Sequence, residues 1–138
     1  MSKVFVDTNI LVSSMDKHDL QKRKKSRSML KKLKKEMHGV ISTQVLQEFY
    51  VAATKKLKAD PINVKDIIRS FENSEIVTIT PAIINDAIDC SILNVISFWD
   101  SLIVSAAEYA KCAQLWTEDL NTGQVIRGVK IVNPFNIT

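Results

Sequence analysis

Four acidic residues lie within or close to apolar segments, where a solvated surface charge is not expected. Asp7 directly follows a short apolar β-branched run, and Asp119 comes soon after another run that ends at Trp116. Asp100 is the single charged residue in the segment 98–107, and Glu48 borders an apolar stripe with helical spacing. Because ligand sites form at the carboxyl ends of parallel strands, Asp7 is a candidate functional residue.

Each of these acids also has a purely structural explanation. Asp7 is a good N-cap for a helix that begins near Ile10. Glu48 resembles a helix-edge residue whose stem packs while its carboxylate reaches water. Asp100 follows Ser97 at the spacing of a capping box, and Asp119 is an ordinary turn residue. Both interpretations remain open for each residue, and for Asp100 they are compatible.

Convergence of the four acids would predict a divalent metal site. Two carboxylates about 5 Å apart repel by roughly 3 kcal/mol at an effective dielectric constant near 20. A group of four therefore needs a cation or a proton. Oxygen ligands without a His or Cys cluster suit Mg²⁺ or Mn²⁺ rather than zinc. The chemistry that follows is metal-assisted hydrolysis of a phosphodiester.

The elements that position these acids follow from the apolar pattern. Helical patterns separate almost every pair of strands, which predicts an α/β fold with a central, mainly parallel sheet of about five strands. One domain is expected over residues 1–138. The predicted strands are Lys3–Val6, Val40–Ile41, Ile76–Ile79, Ala113–Trp116 and Val129–Val132. The predicted helices cover residues 10–14, 19–36, 43–57, 61–71, 83–93 and 98–110.

The composition indicates a globular chain with one strongly basic segment. Hydrophobic residues make up 46% of the sequence and charged residues 25%, with a net charge of +4. The segment Lys17–Lys35 holds ten of the 19 Lys and Arg residues, which favours either a polyanionic partner or a solvated helix face. Two distant cysteines exclude a disulfide framework. No apolar stretch is long enough for a membrane span or signal peptide, so a cytoplasmic location is expected.

Taken together, the acids and their neighbours resemble the PIN-domain ribonucleases, especially the VapC-type toxins of toxin–antitoxin pairs. The resemblance covers nearly the whole chain, because its motifs occur in order from the first strand to the last. The segments that carry it are Val4-Phe5-Val6-Asp7-Thr8-Asn9-Ile10-Leu11, Ser42-Thr43-Gln44-Val45-Leu46-Gln47-Glu48-Phe49, Phe98-Trp99-Asp100-Ser101-Leu102-Ile103-Val104, Trp116-Thr117-Glu118-Asp119-Leu120-Asn121-Thr122-Gly123-Gln124 and Val129-Lys130-Ile131-Val132-Asn133-Pro134-Phe135.

The resemblance implies a three-layer α/β/α domain and a set of site residues. The family places Asp7, Glu48, Asp100 and Asp119 in one acidic pocket that binds Mg²⁺ or Mn²⁺. Supporting hydrogen bonds would come from Thr8, Asn9 and Thr117. Some relatives carry a further acid near Asp119. Here Glu118 is expected to point away from the pocket. Whether the pocket binds one metal ion or two therefore remains open.

The resemblance also implies RNA cleavage, a small antitoxin partner and a homodimer. Contact with the RNA backbone or with a partner is expected from the basic segment, at Lys22, Arg23, Lys24, Lys25 and Arg27. A stand-alone RNA-processing nuclease and a catalytically inactive RNA-binding PIN module are the alternatives. A haloacid-dehalogenase-like phosphatase also begins with an Asp at a strand end, but Asn9 occupies the position where that chemistry needs a second Asp.

Overall fold

Residues 2–136 are described in the computed structural model of this protein, and they contain a six-stranded sheet flanked by helices. The strand order is β3-β2-β1-β4-β6-β5. All neighbouring strands are parallel except β5 and β6, which are antiparallel. The strands are β1 (Lys3–Val6), β2 (His38–Ser42), β3 (Glu75–Val77), β4 (Gln114–Trp116), β5 (Val125–Ile126) and β6 (Val129–Val132).

Most of the helices begin where a polar side chain accepts a hydrogen bond from the first turn, as in ordinary N-caps. Ser42 and Thr80 cap α3 and α5 in this way, and Ser97 caps α6. A short 3₁₀ turn, Pro134–Asn136, follows the last strand. The helices are α1 (Thr8–Ser13), α2 (Leu20–Glu36), α3 (Thr43–Lys55), α4 (Pro61–Ser70), α5 (Pro81–Asn94) and α6 (Phe98–Tyr109).

The predicted α/β class and mainly parallel sheet are confirmed, but the sequence reading missed one strand. β5 has two residues, and Val125 is exposed, so no apolar run marks it. It pairs with β6 across a tight turn in which Arg127 and Gly128 both have positive φ, at 51° and 79°. Such a turn matches the twist of the flanking strands. Because Arg127 occupies the first position of this turn, the sequence lacks the Asn-Gly or Asp-Gly pair that usually marks such a hairpin.

The central strands of the sheet form the middle of the hydrophobic core, and the site forms at their carboxyl ends. Val4, Phe5 and Val6 of β1 are all buried, as expected for a parallel strand covered on both faces. β1 lies between β2 and β4. The chain adds β2 and β3 on one side of β1 and then crosses over to add β4, β6 and β5 on the other side. This reversal is a topological switch point, and it leaves a crevice at the carboxyl ends of β1 and β4.

Within residues 2–136, no single helix has the length and apolar character needed to cross a membrane. The consecutive helices α5 and α6 reach that threshold only as a pair, and the pair is bent by 116°. Seven successive residues of α6, Ser101–Ala107, are buried inside the protein.

Candidate active site

A cleft of about 700 Å³ opens at the carboxyl ends of β1 and β4. Three of the four predicted acids, Asp7, Glu48 and Asp119, line it. Two cations, Lys22 and Lys56, line it as well. Three further acids also line the cleft: Asp16, Asp19 and Glu118.

Asp7 is the most buried acid of the cleft, with 5% of its surface exposed. The Thr8 backbone N–H donates to Asp7 Oδ1 at 2.7 Å, so Asp7 does cap α1. Its other oxygen, Oδ2, accepts from Thr117 Oγ1 at 2.8 Å and from Asn9 Nδ2 at 3.5 Å. The capping interpretation is confirmed, and it is compatible with the functional one, because the two oxygens of Asp7 make different contacts.

Burial raises the pKa of Asp7 from its ordinary value of 3.8 to about 7. Hydrogen bonds from Thr117 and Thr8 favour the charged form and oppose this shift, whereas the charges of Asp119 and Glu48 add to it. Near neutral pH, the carboxyl group of Asp7 is therefore divided between its protonated and ionised forms. Such a carboxylate gains from any cation that reaches the cleft.

Glu48 is held from two sides. Thr8 Oγ1 donates to Glu48 Oε1 at 2.9 Å, which joins the first helix to α3. Gln44, one turn earlier on α3, donates to Glu48 Oε2 at 3.5 Å and to the Trp99 carbonyl oxygen at 3.4 Å. Gln44 is 5% exposed, and sequence reasoning missed it. Its spacing of four residues from Glu48 on one helix is the signal that could have found it.

Asp119 is linked to β1 through Asn9. Asn9 Nδ2 donates to Asp119 Oδ2 at 3.0 Å, and the Asp119 backbone N–H donates to Thr117 Oγ1 at 3.1 Å. Burial raises the pKa of Asp119, and the negative charge of Asp100 raises it further. Thr8, Asn9 and Thr117 thus make the supporting contacts that the resemblance implied.

Asp100 contributes to the acidic field without lining the cleft. It lies in the first turn of α6, where its backbone N–H donates to Ser97 Oγ at 3.0 Å, as the capping interpretation predicts. Its carboxylate is half-buried and acts electrostatically on Asp119. The structure therefore brings Asp7, Glu48 and Asp119 together in the cleft and leaves Asp100 outside its lining, where its charge still acts on Asp119.

The chemistry of the donor set fits a hard divalent cation, although residues 2–136 contain no group of three or more His, Cys, Asp or Glu side chains arranged to hold a metal ion. The acids present oxygen only, which suits Mg²⁺ or Mn²⁺. Asn9 Oδ1, beside Asp7, is buried and has no hydrogen-bond partner among the described residues. A buried carboxylate with acidic neighbours and an unpaired oxygen nearby is the environment that a cation would stabilise.

The family model of the PIN domain matches residues 4–126. The chain belongs to the PIN domain family. This confirms the family that the acidic motifs and their order predicted. Comparison with curated proteins gave no match.

Several solved structures share the fold of this PIN domain. A toxin–antitoxin complex from Klebsiella pneumoniae is 20% identical, with a TM-score of 0.71 over 97% of this chain and 99% of that one. VapC20 from Mycobacterium tuberculosis, a sarcin–ricin-loop-cleaving toxin, is 15% identical, with a TM-score of 0.66 over 84% and 91%. VapBC2 from Rickettsia felis, bound to a promoter DNA fragment, is 21% identical, with a TM-score of 0.66 over 94% and 96%.

The basic residues of this PIN domain fall into different environments. Lys24 and Arg27 are exposed, and Arg27 Nε donates to the Ser14 carbonyl oxygen at 2.7 Å. Arg23 and Lys25 are half-buried on the same helix, α2. Lys22 instead lines the cleft, where its Nζ lies 2.6 Å from Glu118 Oε2.

The expected orientation of Glu118 was wrong, because Glu118 lines the cleft and pairs with Lys22. Adjacent residues of a regular strand point to opposite faces. Here β4 ends at Trp116, so the residues that follow it are not bound by that alternation.

Replacing Asp7 by Asn should remove a specific pH dependence of stability. The folded-state pKa of about 7 lies above the ordinary 3.8, so the folded protein binds this proton more tightly than the unfolded chain does. The resulting stabilisation is complete below pH 3.8 and is lost as the pH rises through 7, by up to about 4 kcal/mol. Urea denaturation of both proteins from pH 4 to 8, with EDTA, measures the difference. Parallel pH profiles for the two proteins would contradict the raised pKa.

Proposed function

We propose that this PIN domain is a divalent-metal-dependent endoribonuclease and the toxin of a toxin–antitoxin pair. The observation that carries the proposal is the buried Asp7 carboxylate, which shares a cleft at the topological switch point with Glu48 and Asp119. Hydrolysis of a phosphodiester needs positive charge near the phosphorus, and these carboxylates are the ligands that would hold it.

In the proposed mechanism, Asp7, Glu48 and Asp119 would hold Mg²⁺ or Mn²⁺ in the cleft, together with Asp100 from just outside its lining. The bound ion would supply Lewis-acid stabilisation of the charge that develops on the phosphate, and would make water a stronger nucleophile. Thr117 and the Thr8 backbone N–H fix the direction of the two Asp7 oxygens.

Binding of the ion and the protonation of Asp7 are coupled in this mechanism. In the metal-free site the pKa of Asp7 is about 7, so the protonated fraction of this carboxyl group would lose its proton when a divalent ion bound near neutral pH. Glu48 and Asp119 border the same space and are held by neutral donors, Thr8 and Asn9. These hydrogen bonds keep the carboxylates oriented toward the cleft.

RNA is the proposed substrate because the acidic cleft adjoins a basic helix. The cations of α2, with Lys24 and Arg27 exposed, would hold the phosphate backbone that leads to the cleft. One protein with this fold, the Mycobacterium tuberculosis toxin, cleaves the sarcin–ricin loop. This supports an RNA phosphodiester as the substrate class.

A small antitoxin is the proposed partner, since proteins of this fold occur in toxin–antitoxin complexes from Klebsiella pneumoniae and Rickettsia felis. We also propose that the protein works in the cytoplasm, where an RNA substrate and an antitoxin would meet it, and that it forms a homodimer. A stand-alone processing nuclease has the same active-site requirements and is separated from a toxin by its effect on growth.

Purified protein should cleave total RNA with Mg²⁺ or Mn²⁺ and lose this activity in excess EDTA. Asp7→Asn and Asp100→Asn should each lower the cleavage rate at least about 100-fold, because each removes negative charge that would hold the cation. Asp86→Asn is the matched control, since Asp86 is an exposed acid on α5. Rates from gel assays, with mapped cut ends, decide the outcome. A wild-type cleavage rate in either variant would contradict the role of that acid in the active site. Cleavage that persists in EDTA would contradict the metal dependence.

RNA binding should depend on salt through the exposed cations of α2. In an Asp100→Asn background, Lys24→Gln or Arg27→Gln should reduce the slope of log affinity against log salt by about 0.7 for each lost phosphate contact to single-stranded RNA. Lys65→Gln, an exposed lysine on α4, is the control and should leave the slope unchanged. Fluorescence anisotropy of a labelled RNA measures the slopes. Equal slopes in all variants would place the RNA elsewhere.

Induced expression in a bacterium should stop growth if the protein is a toxin. The Asp7→Asn protein, at matched expression, should permit normal growth, because the arrest depends on the active site. Where a small open reading frame lies next to the gene, its co-expression should restore growth if it encodes the antitoxin. RNA cleavage by the purified protein without any effect on growth would instead indicate a stand-alone processing nuclease.

A further inference from the structure

The cleft contains two groups of carboxylates. The groups are named by their contacts and not by their burial, since Asp119 is itself exposed. The inner carboxylates are Asp7, Glu48 and Asp119, with Asp100 acting electrostatically on Asp119, and the outer carboxylates are Asp16, Asp19 and Glu118. The two groups are continuous, because Glu118 and Asp119 are neighbours in the chain. The two groups differ in their contacts. Among the described ion pairs, a lysine ammonium group contacts the outer carboxylates and none contacts the inner carboxylates.

The lysine of the outer group is Lys22. Its Nζ lies 2.6 Å from Glu118 Oε2, and its ammonium group is 5.0 Å from the centroid of the Phe135 ring. The hydrogen bond to Glu118 raises the pKa of Lys22, and partial burial opposes this shift. The charges of Asp19 and Asp16 raise this pKa further, so Lys22 stays charged among three acids.

The outer acids Asp16 and Asp19 also hold the backbone in place around Lys22. Asp19 caps α2, and its Oδ1 accepts from the Lys22 backbone N–H at 3.0 Å. Asp16 Oδ1 accepts from the His18 backbone N–H at 2.9 Å. These bonds fix the first turn of α2, so that the Lys22 side chain begins close to the cleft.

The described hydrogen bonds to the inner carboxylates come from neutral donors instead. Thr117 and Asn9 donate to Asp7, and Asn9 also donates to Asp119. Neutral donors orient a carboxylate but leave its charge uncompensated. The inner group is therefore the part of the cleft that still requires a cation.

We propose that Lys22 is the built-in cation of the outer carboxylates, and that it limits the cleft to one divalent ion, at the inner carboxylates. The proposal rests on the metal dependence proposed above. Lys22 neutralises Glu118, the acid next to Asp119, so a second divalent ion would have to displace an ammonium group that is already paired. Without Lys22, Glu118 would lose its paired cation, and this part of the cleft, which Asp16 and Asp19 also line, would keep negative charge that a second ion could neutralise.

The test is the number of Mn²⁺ ions bound by the full chain, measured by isothermal titration calorimetry with manganese chloride at low ionic strength. Wild type should bind one ion, and Lys22→Gln should bind two. Lys22→Arg keeps the positive charge and should bind one. Lys24→Gln, an exposed lysine on the same helix, is the matched control and should also bind one. Circular dichroism establishes that each variant is folded.

A double variant, Lys22→Gln with Glu118→Gln, should return to one ion if Glu118 is the main ligand of the second. Two ions in wild type, or one ion in Lys22→Gln, would overturn the role of Lys22 and leave the proposed function standing. No Mn²⁺ binding by wild type would reject the metal dependence itself. The alternative role of Lys22 is contact with RNA. It would be indicated if Lys22→Gln bound one ion and also lowered the slope of log RNA affinity against log salt as much as Lys24→Gln does.

Discussion

The loss of water around the Asp7 carboxylate is the constraint on which the site depends. A carboxylate at the end of a central parallel strand is surrounded by core residues, and only 5% of Asp7 is exposed. Its ionised form therefore needs other partners to replace water. Thr8 and Thr117 provide part of this compensation, but the pKa of about 7 shows that hydrogen bonds alone do not complete it. The divalent cation proposed for this cleft would supply the compensation that the hydrogen bonds leave incomplete.

The same constraint explains why neighbouring side chains serve two carboxylates at once. Thr8 uses its backbone N–H for Asp7 and its hydroxyl for Glu48. Asn9 reaches both Asp7 and Asp119, and it does so from the first turn of α1. Because these donors follow β1 directly, the strand fixes their positions together with that of Asp7. The acids of α3 and of the segment after β4 are thereby held in relation to one rigid strand.

Local sequence patterns could predict the inner acids but not the outer ones. Asp7 directly follows an apolar strand, and Asp100 is the single charge in an apolar helical segment, so each stands out from its neighbours in the sequence. Asp16 and Asp19 lie in a polar segment, where nothing in the sequence separates an acid in a cleft from an acid in water. Their position depends on how α2 packs beside the strand ends, which is a tertiary property.

Glu118 and the short strand β5 were missed for related reasons. The direction of Glu118 is set by the irregular segment after β4, to which the alternation of a strand does not apply. β5 contains one exposed and one buried residue, and it exists because β6 offers an antiparallel edge. Neither feature has a periodic signal of its own. The predicted strand bounds were right at Lys3–Val6, where three successive residues are buried, and at Val129–Val132, where buried residues alternate with the exposed Lys130.

The helix α2 contributes cations to two different surfaces. Lys22, in its first turn, enters the cleft, whereas Lys24, Arg27 and Lys31 are exposed along its length. Residues three or four apart lie on one face of a helix, so these exposed cations repeat about every 5 Å along it. Leu33 is buried, which fixes the helix against the core and the cations toward solvent. The cations of this face would attract a phosphate backbone, whereas the carboxylates of the cleft would repel it. A cation bound in the cleft would reverse that repulsion.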